Sequence, residues 1–168
     1  NTLQFGRQTL LQTNFYQPLD VAQRFFIRPS INYERNLQSI YLGDERVARY
    51  YLSNMYGELA FGANAGSRAQ FITGLRSGRL KTDRDTGSTS LPDNLEEDET
   101  VVFLNATYDT RNNIGLPTRG SLVFVEYAHS DSFLGGDQDY DLLEGVVTKA
   151  FPWRGDSLNL IAGGAGTL

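Results

Sequence analysis

Residues in the second half of the chain alternate between apolar and polar over long segments. Examples are T-V-V-F-L-N-A-T-Y-D from Thr100, S-L-V-F-V-E-Y-A from Ser121 and L-N-L-I-A-G-G-A-G from Leu158. Successive side chains on a strand point to opposite faces, so a period of two builds a wall with one greasy and one wet side. A membrane-spanning β-barrel requires such a wall, which directs the search for function to a pore or scaffold rather than a catalytic cleft. No stretch approaches the roughly 18 consecutive apolar residues of a spanning helix, so a helical membrane protein is excluded. A barrel strand needs only ~9–11 residues, half of them apolar.

Composition narrows the class further. Seventeen glycines, nine tyrosines and ten phenylalanines beside one methionine favour twisted strands and interfacial aromatics. Cysteine is absent, so no disulfide or thiolate metal site holds the chain together. A net charge of -5 argues against nucleic acid as a partner. The chain opens on a strand-like N-T-L-Q-F-G-R-Q without a signal-peptide pattern, as expected of an excised or mature internal segment.

Turn chemistry marks about eight strands, near residues 2–14, 22–42, 45–65, 67–82, 99–111, 119–131, 138–151 and 156–168. In the fourth, Ala69, Phe71, Thr73 and Leu75 oppose Gln70, Gly74 and Arg76. In the fifth, Val102, Leu104, Ala106 and Tyr108 oppose Asn105, Thr107, Asp109 and Arg111. The seventh sets Leu143, Gly145 and Val147 against Glu144 and Thr148. Mid-strand charges suit a watery interior better than a packed sandwich core, so Arg76, Asn105, Asp109, Arg111, Glu126 and Glu144 are expected to line a lumen. Phe103, Leu122, Phe124 and Val146 interrupt the alternation and keep a soluble sandwich in play. Tyr50, Tyr51, Tyr56, Phe61, Tyr127, Tyr140, Phe151 and Trp153 fall near strand ends, where aromatic girdles form.

The longest connection runs from Lys81 to Glu99 and carries seven acids against Lys81 and Arg84. Long connections of outer-membrane barrels face outward and short turns face the periplasm. The acidic segment and the hairpin at Gly43 then lie outside, the turns near residues 66, 115 and 154 lie in the periplasm, and the C-terminus points outward.

The most specific stretch is Y-D-T-R-N-N-I-G-L-P-T-R-G-S-L-V-F-V-E-Y, Tyr108 to Tyr127. Here Pro117 fixes φ and withholds a donor where no ladder partner is needed, and Gly120 permits tight re-entry into a strand. Asp109 and Arg111 can neutralise each other. The segment resembles the barrel of the BamA/TamA surface-antigen superfamily, in which Asp109, Arg111, Pro117 and Gly120 match a periplasmic hairpin motif. The resemblance implies an antiparallel transmembrane barrel of about sixteen strands, half of it here, in the outer membrane of a Gram-negative bacterium.

Upstream, Q-P-L-D-V-A-Q-R-F-F-I-R-P-S-I-N-Y-E-R from Gln17 and D-E-R-V-A-R-Y-Y from Asp44 resemble the translocator barrel of patatin-like phospholipases in single-chain type V secretion. That branch implies a secreted lipase passenger, a POTRA domain on the parent chain, a lipid bilayer around the wall, a candidate homodimer and no cofactor. The superfamily's outward Arg-Gly motif and the strands after it are not found in this sequence. The alternative is a small structural or enzymatic eight-stranded barrel, whose interior would be filled by side chains.

Other motifs carry little chemistry. No Gly-x-Ser-x-Gly elbow occurs, so a lipase active site is not expected here. The single histidine, His129, stands next to Ser130, and adjacent strand residues cannot meet as base and nucleophile without a bulge. D-R-D-T-G at Asp83 begins like a calcium loop, but its twelfth position is Asn94 rather than a bidentate glutamate. The glycines around Gly163 read as strand curvature, and Arg154-Gly155-Asp156 as a chance tripeptide.

Overall fold

A computed structural model describes residues 2–4, 8–87, 94–153 and 156–167. The strands are β1 (Thr2–Gln4), β2 (Gln8–Asn14), β3 (Gln17–Pro18), β4 (Phe25–Leu42), β5 (Glu45–Ala65), β6 (Ala69–Gly87), β7 (Asn94–Asp109), β8 (Gly120–Ser130), β9 (Tyr140–Trp153) and β10 (Asp156–Thr167). A 3-10 turn, Ser132–Leu134, stands between β8 and β9. The ten strands among the described residues form one antiparallel sheet in chain order, with the two-residue β3 pairing on β4. The sheet is not closed: among the described residues, β1 and β10 do not pair with each other. A sandwich needs two facing sheets, and among the described residues there is only one.

Three boundaries differ from the sequence reading. Residues 2–4 and 8–14 are two antiparallel strands, with Thr2 opposite Gln12 and Gln4 opposite Leu10. The acidic segment is mostly ladder: β6 continues to Gly87 and β7 starts at Asn94, and only residues 88–93 between them lie outside the described residues. Four of its acids are neutralised by cations on neighbouring positions, Asp98 and Glu96 by Arg79, Glu96 and Asp83 by Lys81, and Asp85 by Arg49. Paired charges let the strands run on above the wall that the alternation defines. Finally, β7 ends at Asp109, so Arg111 sits in the following turn rather than on the strand. The turn at 154–155 lies outside the described residues.

The register places every second residue on one face across all the long strands. Gly62, Ile72 and Asn105 are successive partners, as are Phe61, Thr73 and Leu104 on the other face. On the first face Phe26, Ala60, Ile72, Val101, Phe103 and Ala128 form a buried cluster, joined by Tyr140 and Leu142. A single sheet can bury side chains on one face only by curling around them, so this face is the inner one. The irregular positions Phe103, Leu122, Phe124 and Val146 all belong to it by register. Gly62 makes room for the cluster, because a Cβ there would lie 2.0 Å from the Phe26 ring.

The outer face is apolar and open. Leu59 and Leu104 are 61% and 54% exposed, whereas Phe103, one residue from Leu104, is 1% exposed. The outer row runs through Ile31, Leu59, Phe71, Leu75, Val102, Val125, Leu143 and Val147, all exposed. Polar groups bound this belt, His129 and Asp141 at one end of β8 and β9 and Ser121 and Lys149 at the other. Ser121 to His129 covers about 26 Å along the strand at ~3.3 Å per residue, and strand tilt brings the height close to the ~25 Å apolar band of an outer-membrane wall. Several expected girdle residues sit elsewhere: Tyr50 is buried, Tyr56 faces inward beneath Arg76, and Tyr140 packs against the inner cluster. Tyr127, Phe151 and Trp153 remain on the outer face by register.

The chain direction sets the ends of the wall. The hairpin at Gly43–Asp44, the end of β6 at Gly87, the start of β7 at Asn94 and the 3-10 turn share one end, and the connections at 15–24, 66–68 and 110–119 share the other. At this second end Asp20 holds the entry to β4: its Oδ1 accepts from the Phe25 amide at 2.9 Å and its Oδ2 from Arg24 Nε at 3.2 Å. The Phe25 amide bond, reinforced by Arg24, holds the Asp20 carboxyl below its usual range.

Candidate functional site

The inner face carries a ladder of charge across five strands. Arg28 on β4 donates Nη2 to Glu58 Oε1 at 2.9 Å. Glu58 on β5 is directly opposite Arg76 on β6, whose Nε and Nη2 both donate to Glu58 Oε2 at 3.2 Å. Arg76 then reaches across β7 to Glu126 on β8, Nη2 to Oε1 at 3.9 Å. Asn105 on β7, directly opposite Glu126, donates to its Oε2 at 3.3 Å. The Arg76 guanidinium lies 5.0 Å over the Phe103 ring and 5.7 Å from the Tyr56 ring, so the aromatics beneath it hold it flat between its two carboxylates. Glu58 is the hub, with only 7% of its side chain exposed.

Of the lumen residues expected from sequence, Arg76, Asn105 and Glu126 come together here. Glu144 shares the face and stands directly opposite Glu126, but has no cation within ion-pair distance among the described residues. Glu58 and Arg28 were missed. Their signal was available, since Tyr56, Glu58 and Ala60 alternate with Gly57, Leu59 and Phe61. Further inner-facing acids are Glu34, Glu97 and Glu99, so carboxylates outnumber Arg28, Arg76 and Arg84 on this face.

At the end of the wall opposite Gly43, the hairpin from Asp109 to Gly120 is held by its own side chains. Arg111 grips Asp109 with Nε at 3.0 Å and Nη2 at 2.8 Å, and its backbone N–H donates to the same carboxylate at 2.9 Å. The pair closes within the turn and not across the pleat, because Arg111 has left the strand. Asn112 Oδ1 accepts from the Thr118 and Arg119 amides, and Asn113 Oδ1 accepts from Gly115 and Leu116. These asparagines replace ladder partners that Pro117 and the open turn cannot supply. Gly120 has φ +103°, and a Cβ there would lie 2.3 Å from the Thr110 carbonyl oxygen. Asp109 N–H also donates to Arg68 O, tying this hairpin to the preceding turn.

His129 and Ser130 point to opposite faces. His129 Nδ1 shares a hydrogen at 2.8 Å with Asp141 Oδ1 on the outer face, while Ser130 Oγ donates to Gln138 O on the inner side. Among the described residues, no group of three or more His, Cys, Asp or Glu side chains could hold a metal ion.

The profile of the Omp85 superfamily domain matches residues 2–167, nearly the whole chain. The chain belongs to the Omp85 superfamily. Searches of curated proteins and of solved structures returned no match. Members of the Omp85 superfamily are outer-membrane β-barrel proteins of Gram-negative bacteria involved in secretion or insertion of polypeptides. Omp85 translocator domains are generally non-enzymatic.

Proposed function

We propose that this Omp85 chain forms part of a translocator barrel for a type V, single-chain secretion protein, with a patatin-like lipase as its passenger and a POTRA domain on the same polypeptide. The end bearing the Gly43–Asp44 hairpin faces outward and the Asp109–Gly120 hairpin faces the periplasm. Further strands complete the wall, because an unpaired strand edge in hydrocarbon leaves backbone N–H and C=O groups unsatisfied at several kcal/mol each. A second copy of the chain is the other candidate for covering those edges.

The observation that carries the reading is the pairing of an exposed apolar belt outside with an ion-paired ladder inside. Such a wall separates hydrocarbon from a hydrated path. The excess of inner carboxylates gives that path a negative field, which favours cations. Full-length protein reconstituted in a planar bilayer tests this. Open channels with a cation-selective reversal potential support the reading, and Glu58→Gln together with Glu126→Gln reduces that selectivity. A closed wall that passes no current with and without passenger, or an anion-selective one, overturns it.

A further inference from the structure

Beyond the last β8 residue the chain folds back as the 3-10 turn Ser132–Leu134. Asp131 caps this turn, its Oδ1 accepting from the Phe133 amide at 2.7 Å, and the Ser132 amide donates to Asp139 at 2.7 Å. A tightly bonded turn of this kind has no need of an apolar tip, yet Phe133 is 94% exposed. Phe133 and Leu134 face Val102 and Leu104 across a groove of about 660 Å³ on the outer face. The groove opens onto the apolar belt, and its other end is polar. There Tyr127 Oη donates to Asp141 Oδ1 at 2.5 Å, His129 Nδ1 lies 2.8 Å from the same oxygen, and Asp131 completes the lining. Asp131 Oδ2 and Asp141 Oδ2 accept no hydrogen bond from any described residue.

We propose that this groove binds a membrane glycolipid, with an acyl chain between Phe133–Leu134 and Val102–Leu104 and a sugar headgroup at Asp131, His129 and Asp141. The inference rests on the reading of the outer face as lipid-facing, since the groove is continuous with the belt. The free carboxylate oxygens and the imidazole accept hydrogens, and sugar hydroxyls supply them. Among the described residues no Lys or Arg lines the groove, and the nearby Arg79 and Lys81 are already paired with Asp98 and Glu96. A phosphate-dominated headgroup would therefore meet two carboxylates and no Lys or Arg, and attraction falls to the hydroxyl-rich one.

The test uses full-length protein in mixed micelles with three lipids of identical acyl chains: diglucosyl diacylglycerol, phosphatidylethanolamine and phosphatidylglycerol. Native mass spectrometry reads retained lipid. The expected result is several-fold greater retention of the glucolipid than of phosphatidylglycerol, lost in Asp131→Asn/Asp141→Asn, with Phe133→Ala weakening all three. Unchanged heat-modifiable migration on gels shows that the variants stay folded. Equal retention of the three lipids, preference for the ethanolamine lipid, or a preference that survives the double variant each overturns the proposal. A spin label at Leu59, remote from the groove, reports the lipid-facing reading separately: oxygen access there with no glucolipid preference sinks the site alone, and shielding from oxygen there sinks the reading beneath it.

Discussion

Glu58→Gln removes the charge at the centre of the inner ladder while keeping the side chain's size. In the wild type this carboxylate accepts three N–H bonds from two guanidiniums, at 2.9 Å from Arg28 and twice at 3.2 Å from Arg76. A hydrogen bond to a charged group contributes about 1.5–3 kcal/mol, and breaking a fully buried pair costs ~3–5 kcal/mol. The arginines are 32% and 31% exposed, so water recovers part of their solvation. Glutamine also keeps one acceptor oxygen. The expected loss is about 2 kcal/mol, roughly 30-fold in the folding equilibrium. Equilibrium urea unfolding of the full-length protein in vesicles measures it, with Glu45→Gln at the exposed hairpin tip as a control that stays within about 0.5 kcal/mol. A cycle with Arg76→Gln should return a coupling of about 1 kcal/mol or more. A Glu58→Gln loss no larger than the control, with coupling near zero, would refute the ladder as a source of stability.

Glu144→Gln should be neutral or stabilising by a few tenths of a kcal/mol, because Glu144 faces Glu126 with no cation of its own; a loss above about 1 kcal/mol in the same unfolding assay would reveal a partner for it. Gly120→Ala should cost roughly 1–3 kcal/mol, since φ +103° and the Thr110 carbonyl at 2.3 Å both exclude a Cβ; wild-type unfolding and refolding by this variant would contradict the hairpin geometry. Asp20 has a depressed carboxyl pKa, so its hold on the Phe25 amide is present above the unfolded value of about 3.9 and is lost as pH falls through the lower folded value. Hydrogen exchange at Phe25 should therefore show excess opening as the pH drops below about 4, and Asp20→Asn should abolish that pH dependence; an identical response in the variant would count against it.

The wall's two faces were legible because a period of two is a local property. Ala69, Phe71, Thr73 and Leu75, and Val102, Leu104, Ala106 and Tyr108, lie on the outer face where their spacing put them. Gly120 was legible for a similar reason, being required by backbone geometry within a few positions. The acidic segment was misread as a loop because its charges look solvent-bound in isolation, and Arg49, Arg79 and Lys81 become their partners only when strands are laid side by side. The reversal inside residues 2–14 went unseen because both of its strands continue the same alternation.

Alternation, turn chemistry and the Tyr108–Tyr127 segment thus determined an all-β antiparallel wall, its outer face and its family. Tertiary structure decided what the inner face does with its residues. Glu58 meets Arg76 only because register sets positions eighteen residues apart directly opposite, and Phe103 is buried only because the sheet curls. Periodicity tells a side chain which face it takes, but the neighbour across the gap depends on strand pairing and curvature, which are properties of the whole sheet.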